Sequence, residues 1–411
     1  MRKFHFLVLT VLLTSIVFTQ CSFLHSNQLK SRTTPVSMPF EIINNFIILK
    51  LRINDVAECK FIYDTGSENS IFFDKEIAEI LNFKMVNEIR IMGSDLTKSL
   101  TAKVALNIKA STSQDKSFTL NMLVLNENIF DLDKYFGFHL SGIVGNNMFQ
   151  NKIVQIDYEN NMIHVYDADK TEIDPGYTNI DATWIDGKPY VHATLDAQNH
   201  KEKIKTLLLF DTGATMSLLL YNARKAGIAV PDKLITGYLG MGMGGPINGF
   251  IGKYQEIGID TFRMKNIITH FSTMDSTALI NDESKKEGLF GNVLISKYLV
   301  LVDYKHEAIY LTPNKSYYLP TQVDRSGLLV IATGLYLNEY LIKEVGPDSP
   351  AEKAGLLPGD RIRKINAIPA SWISLPTINN ILSSTKKEKV RLTINRAGQR
   401  HKIVLYLKDI L

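Results

Sequence analysis

Phe61-Ile62-Tyr63-Asp64-Thr65-Gly66-Ser67-Glu68-Asn69-Ser70 and Leu208-Leu209-Phe210-Asp211-Thr212-Gly213-Ala214-Thr215-Met216-Ser217 are two versions of one stretch. Each is an apolar, strand-like run that ends in Asp-Thr-Gly, with a serine six residues after the aspartate. An acid at the end of a buried strand is costly unless something hydrogen-bonds to it. A chain that places one there twice is expected to use both. A single Asp-Thr-Gly says little, because Asp and Gly are ordinary turn residues. The residues downstream of each copy give the pattern its weight. Gly142-Ile143-Val144-Gly145-Asn146 lies beyond the first, and Gly288-Leu289-Phe290-Gly291-Asn292 beyond the second. Ile153-Val154-Gln155-Ile156-Asp157-Tyr158 and Leu299-Val300-Leu301-Val302-Asp303-Tyr304 come next. All three landmarks repeat at an offset of 146 or 147 residues, which marks a duplication. So long a period means two domain-sized halves and not a solenoid.

The paired loops, each with its downstream apolar-apolar-Gly element, resemble the retropepsin-like and pepsin-like aspartic proteases over residues 40–312. That resemblance implies a mainly β fold: two β-barrel-like halves packed about a pseudo-twofold axis, with the active site in the cleft between them. It also implies that the hydroxyls of Thr65 and Thr212 bond across the axis to the opposite loop. The chemistry can be argued independently. Two carboxylates brought close together cannot both ionise, so Asp64 and Asp211 would share one proton over a wide pH range. The ionised member would act as general base on a water, and the protonated member would donate to the scissile carbonyl. Gly66 and Gly213 would let the two loops approach closely. Ser67 follows the first triplet and Ala214 the second. A serine hydroxyl there would stabilise a charged carboxylate, so the sequence predicts Asp64 as the ionised member and Asp211 as the proton carrier. Ala214 and water-excluding flaps would keep one acid neutral near neutral pH.

Between the landmarks the sequence is rich in Ile, Phe, Val and Thr in short runs broken by turn residues, apart from a short helix at 75–81. Ile89-Arg90-Ile91-Met92-Gly93-Ser94-Asp95 falls where the resemblance places a flap. The matching stretch in the second half is Tyr238-Leu239-Gly240-Met241-Gly242-Met243-Gly244-Gly245. It contains Gly-x-Gly-x-x-Gly at 240, 242 and 245, yet Pro246-Ile247-Asn248-Gly249 stands where a dinucleotide fold needs a helix, so no nucleotide cofactor is expected. A glycine-rich, methionine-bearing hairpin suits apolar peptide side chains better. The nine histidines show no metal spacing, and His164 and His192 lie in strand-like runs, so no metal is expected either.

The chain opens with Arg2 and Lys3 before an apolar run at 6–18, too short to span a membrane comfortably, and reads as an export signal over 1–20. Cys21 stands where cleavage would fall, as in bacterial lipoproteins, although Phe18-Thr19-Gln20 lacks the usual small residue before it. An ordinary secretory signal is the alternative. Residues 21–37 read as a polar tether, and Cys59 as a small core residue. A net charge of +4 with basic residues spread along the chain gives nucleic-acid binding no support. The turn-rich stretch 169–176 divides the halves at 38–170 and 171–316.

From Tyr317 the character changes. Ser349-Pro350-Ala351-Glu352-Lys353-Ala354-Gly355-Leu356-Leu357-Pro358-Gly359-Asp360-Arg361-Ile362 closely resembles the signature of a bacterial PDZ domain, and the resemblance covers about residues 324–408 of a unit spanning 317–411. A short helix capped by Gly355 leads into a Pro-Gly-Asp turn and a strand. A second helix is expected over 377–383, and then a hairpin turning at Arg396-Ala397-Gly398. PDZ domains bind an extended peptide as an added strand and capture its terminal carboxylate on backbone amides. Gly327-Leu328-Leu329-Val330 best matches that loop and strand, and apolar Ile378 would favour a hydrophobic C-terminal residue. The domain could instead serve as a spacer or bind a loop of its own chain.

The expectation is an exported, lipid-anchored aspartic endopeptidase of the cell envelope, with a PDZ domain that engages polypeptide substrates or partners. The alternative is a peptide-binding protein on a protease scaffold. A third possibility is hydrolysis of a non-protein amide such as a cell-wall peptide.

Overall fold

The computed structural model describes residues 29–92, 99–127, 131–196, 203–221, 231, 234–242, 245–272, 287–321 and 324–409. The export signal expected over 1–20, Cys21 and Gly93 lie outside them. The chain is mainly β, as its short β-branched and aromatic runs dictate. Paired turn residues set where strands reverse. Val36–Ile43 and Phe46–Ile53 meet through Asn44 and Asn45, both at positive φ (51° and 64°), and Ala182–Ile185 meets Lys188–Asp196 through Asp186 and Gly187 (49° and 67°). Two consecutive left-handed residues match the twist of a tight hairpin.

The halves repeat one topology. In the first, Phe46–Ile53 pairs antiparallel with Ala57–Tyr63, which runs parallel to Gly142–Val144. Gly142–Val144 pairs antiparallel with Ser70–Phe72, which runs parallel to Ser117–Leu125. Ser99–Ser111 joins Ser117–Leu125, pairs with Met85–Met92 and returns to Phe46–Ile53, curling the sheet. In the second half Lys188–Asp196, Ile204–Asp211, Gly288–Gly291, Leu218–Leu220, Phe262–Ser272, Gly245–Ile259 and Ile235–Gly242 come in the same order, with the same two parallel pairings. Glycine opens both apolar-apolar-Gly strands because the neighbouring backbone leaves no room for a side chain. A Cβ on Gly142 would lie 2.0 Å from the Ile71 carbonyl oxygen, and one on Gly288 2.1 Å from that of Leu219.

A central antiparallel sheet joins the halves. Lys152–Asp157 pairs with Tyr298–Asp303, Val154 facing Val302. Met162–Asp167 and then Val36–Ile43 extend it on one side, Ala308–Pro313 and then Thr178–Ile180 on the other. Phe61, Tyr63 and Phe149 of the first half share one buried cluster with Phe210, Phe290 and Tyr298 of the second. Cys59 is buried in the same cluster, and among the described residues no helix is long and apolar enough to cross a membrane.

Residues 29–31, expected to belong to a polar tether, are packed instead. Leu29 is buried beside Tyr166 and Tyr177, and Lys30–Ser31 pairs with Thr171–Glu172. A leucine with an apolar berth and backbone groups with strand partners override the polar composition around them.

The C-terminal unit has its own core, which includes Val330, Ile342, Ile362, Leu375, Ile378 and Leu405. Its sheet runs in the order Leu328–Thr333, Glu339–Val345, Arg361–Ile365, Lys389–Arg396, Gln399–Tyr406. Ser349 caps helix Pro350–Lys353, and Ser374 caps helix Leu375–Leu382. The second helix begins two residues before the expected Thr377, because Pro376 stands in its first turn, where its missing N–H costs nothing. Asp360 of the Pro-Gly-Asp turn is buried and holds Arg396 through two 2.7 Å bonds.

Candidate active site

Asp64 immediately follows strand Ala57–Tyr63, and Asp211 ends strand Ile204–Asp211. Each of these strands is flanked by a parallel neighbour, so the two loops emerge from the same edge of their halves and meet on the axis. Gly66 donates its N–H to Asp64 Oδ1 at 2.7 Å, and Gly213 donates to Asp211 Oδ1 at 2.8 Å. Each glycine also lies against the opposite carboxyl. A Cβ on Gly66 would come within 2.7 Å of Asp211 Cγ, and one on Gly213 within 2.5 Å of Asp64 Cγ.

The threonines lock the loops together. Thr65 N–H donates to Thr212 Oγ1, and Thr212 N–H to Thr65 Oγ1, both at 3.0 Å. Thr65 Oγ1 in turn donates to the Phe210 carbonyl at 2.6 Å, and Thr212 Oγ1 to that of Tyr63 at 2.8 Å. Both side chains are fully buried, so four polar groups that would otherwise be orphaned are satisfied across the axis.

Asp64 and Asp211 are both half-buried. Asp64 is held well above the usual carboxylate range, first by its crowded surroundings and then by the charge of Asp211 and a hydrogen bond with it. The Gly66 and Ser67 amides pull the other way and are outweighed. The pair therefore retains a proton that an isolated acid would release.

Ser67 departs from its expected role. Its hydroxyl donates to the Asn69 carbonyl at 2.8 Å, so it stabilises the curl of the loop while only its amide bears on Asp64. The predicted assignment of the charge to Asp64 loses its basis. Ala214 is buried, and its carbonyl accepts from Asn292 N–H at 2.7 Å, just as the Ser67 carbonyl accepts from Asn146 N–H at 2.9 Å.

Those two asparagines belong to the site, although sequence reasoning treated them only as landmarks. Asn146 donates through Nδ2 to the carbonyls of Thr65 (2.9 Å) and, across the halves, Gly187 (3.0 Å). Asn292 donates to the carbonyl of Asn45 at 2.6 Å. Tyr304 Oη donates to Asn146 Oδ1 at 2.8 Å, and Tyr158 Oη donates to Asn292 Oδ1. Tyr63 and Tyr304 share a further bond at 2.9 Å. The signal was present in the sequence: both asparagines and both Asp-Tyr tyrosines recur at the 146-residue offset.

Both predicted flaps begin as paired strands. Met85–Met92 lies on Ser99–Ser111, and Gly93 falls just beyond the described residues. Tyr238 pairs with Asn248 and Gly242 with Gly245, while Gly244 lies outside the described residues. The glycines at 240, 242 and 245 thus sit on a hairpin and not before a helix. Among the described residues no group of three His, Cys, Asp or Glu side chains could hold a metal ion.

In the C-terminal unit, Gly327 has φ 74°, and a Cβ there would meet the Ser349 Cβ at 2.2 Å. Leu328 and Leu329 are half-buried and Val330 is buried. Ile378, expected to face a ligand, is fully buried within the domain core. The helix turns that residue inward, where it packs instead of lining an open groove.

Residues 341–396 match the family model for the PDZ domain. The C-terminal unit is a PDZ domain. No curated protein matches the chain. Among solved structures, the aspartic proteinase from Irpex lacteus is similar over 70% of this chain and 99% of its own, at 11% identity and a TM-score of 0.43. Basic 7S globulin from soybean is similar over 70% and 98%, at 10% identity and a TM-score of 0.44. A PDZ domain protein from Parabacteroides distasonis is 25% identical over 22% of this chain and 21% of its own, with a TM-score of 0.20.

Proposed function

We propose that the chain is an aspartic endopeptidase in which Asp64 and Asp211 activate one water against a peptide carbonyl. The observation that supports this most is the crossed packing of the dyad, in which each carboxyl lies under the glycine of the opposite loop and the pair is hydrogen-bonded. One shared proton provides both catalytic roles at once: the ionised oxygen takes a proton from water, and the protonated one donates to the developing oxyanion. No covalent intermediate is required. The half-buried acids, and two paired hairpins at the places in sequence where the resemblance puts flaps, suit an extended polypeptide. The PDZ domain suits engagement of polypeptides as well.

The test is cleavage of a mixed peptide library, beside folded Asp64→Asn and Asp211→Asn proteins. The parent is expected to cut, and each variant to lose roughly 10³-fold or more in rate, the scale of general acid–base catalysis. A parent that leaves every peptide intact from about pH 4, near the free aspartate value, up to mildly alkaline pH would overturn the reading. The proposal extends to export with a lipid on Cys21, supported by the N-terminal sequence. Incorporation of labelled fatty acid that is lost in Cys21→Ala is the expected result.

A further inference from the structure

Strand Leu328–Thr333 is an edge of the PDZ sheet, and among the described residues no strand pairs with its outer side. Together with helix Leu375–Leu382 it frames the groove into which a PDZ domain takes an extended peptide. The protein fills that groove itself. Helix Leu132–Phe136 of the first half lies against both the strand and the helix. Gly137, its left-handed cap at φ 73°, comes so close that an added Cβ would lie 2.8 Å from the Leu375 Cβ. Asn379 donates through Nδ2 to Asn44 Oδ1 at 3.0 Å, and Asn44 Nδ2 donates to the Tyr135 carbonyl at 3.2 Å. The Tyr135 phenol is pushed up by burial and then by Glu344 of the PDZ sheet.

The carboxylate end of the groove is filled too. The amides of Ser326 and Gly327 donate to Asp324 Oδ1 and Oδ2 at 2.9 and 2.7 Å, and that of Leu328 to Ser326 Oγ at 3.1 Å. A ligand carboxylate would have to displace the one already there.

The covering helix is also tied to the dyad. Phe136 packs on Phe46 with ring centroids 5.2 Å apart, so the helix and the Asn44-Asn45 hairpin form one piece. Asn45 donates through Nδ2 to the Thr215 carbonyl at 3.2 Å and accepts from Asn292, whose N–H holds the Ala214 carbonyl. The equivalent tip at Gly187 accepts from Asn146, and no described residue of the PDZ domain hydrogen-bonds to it. Through the Asn44-Asn45 hairpin the PDZ domain therefore reaches the loop of Asp211.

We propose that the PDZ groove holds residues 132–137 of this chain as its resident ligand, and that a polypeptide tail with a free C-terminus binds only by lifting the domain off the first half. Capture of a tail and bracing of the Asp211 loop are then mutually exclusive, a negative coupling between two sites. The consequence for catalysis, slower cleavage when tails are captured, rests on the endopeptidase reading.

The test avoids that dependence by measuring binding in the Asp64→Asn background. Full-length protein is titrated, by fluorescence anisotropy, with a pool of labelled decapeptides with free C-terminal carboxylates. Gly137→Ala, which drives a methyl into Leu375, and Asn379→Ala, which cuts the tie to Asn44, are compared with it. Both are expected to tighten binding, by about tenfold if undocking leaves the groove open where it was closed in nine molecules of ten. Amide exchange across 132–137 should quicken as the tail saturates. Should Gly137→Ala not fold, Asn379→Ala carries the comparison. Equal affinity in parent and variants, unchanged exchange across 132–137 at saturation, or no binding by any of the proteins would each overturn the proposal.

Discussion

The Asp64–Asp211 pair retains a proton that an unfolded chain would give up, and that has a cost. The native state binds a proton above pH 4, roughly where a free aspartate has lost its own, so stability falls as pH rises from there toward the raised native value. Asp64→Asn removes the penalty without changing the shape of the side chain. The variant is expected to be more stable than the parent to urea at neutral pH, with the difference shrinking toward pH 4. A difference that grows on acidification would mean the carboxyl is charged and stabilised in the fold. The residue types of the dyad were legible in the sequence because two strand-end acids recur with the same downstream landmarks at one offset. The direction of one hydroxyl was not legible. Whether Ser67 reaches a carboxylate or the Asn69 carbonyl depends on how a four-residue loop curls, and no periodicity records that.

At the scale of the element, the threonine loops are one hydrogen-bonded object built from two chain segments 147 residues apart. Thr65→Val keeps the shape but orphans the Thr212 N–H and the Phe210 carbonyl, both in a dry environment. Each buried unsatisfied group costs about 1–3 kcal/mol, so a loss of roughly 2–6 kcal/mol and of activity is expected. Thr65→Ser, which keeps the hydroxyl, should recover most of both. A valine variant as stable as the parent would show that water replaces the bonds. The 146-residue repeat exposed these loops and the strands around them, and the Ser-Pro-Ala-Glu run exposed the PDZ domain. Helix Leu132–Phe136 escaped notice because five residues give no helical period, and its N-terminal neighbour Asp131 sits at positive φ. The tie between Asn44 and Asn379 joins residues 335 apart and leaves no mark in either local sequence.

For the molecule as a whole, the halves are fused and the PDZ domain is docked. One buried cluster runs through both halves beneath the central sheet, whereas the PDZ domain keeps a separate core. Contiguous cores set cooperative units, so calorimetry should resolve one transition for both halves and another for the PDZ domain. The Asp360–Arg396 pair distinguishes them. Burial alone would raise the Asp360 carboxyl, but the bonds from Arg396 and the Leu357 amide outweigh it and hold the group below the usual range. A depressed carboxyl contributes stability that is present above the unfolded value and is lost as pH falls through the folded one. The PDZ transition should therefore weaken in acid below about pH 4, the unfolded aspartate value. Arg396→Ala leaves Asp360 buried without its charge partner and should cost the PDZ transition about 2–3 kcal/mol at neutral pH. The first transition should stay in place. If both fell together, the docking face would be strong enough to make the chain a single cooperative unit, and a tail could not lift the PDZ domain without loosening the two halves as well.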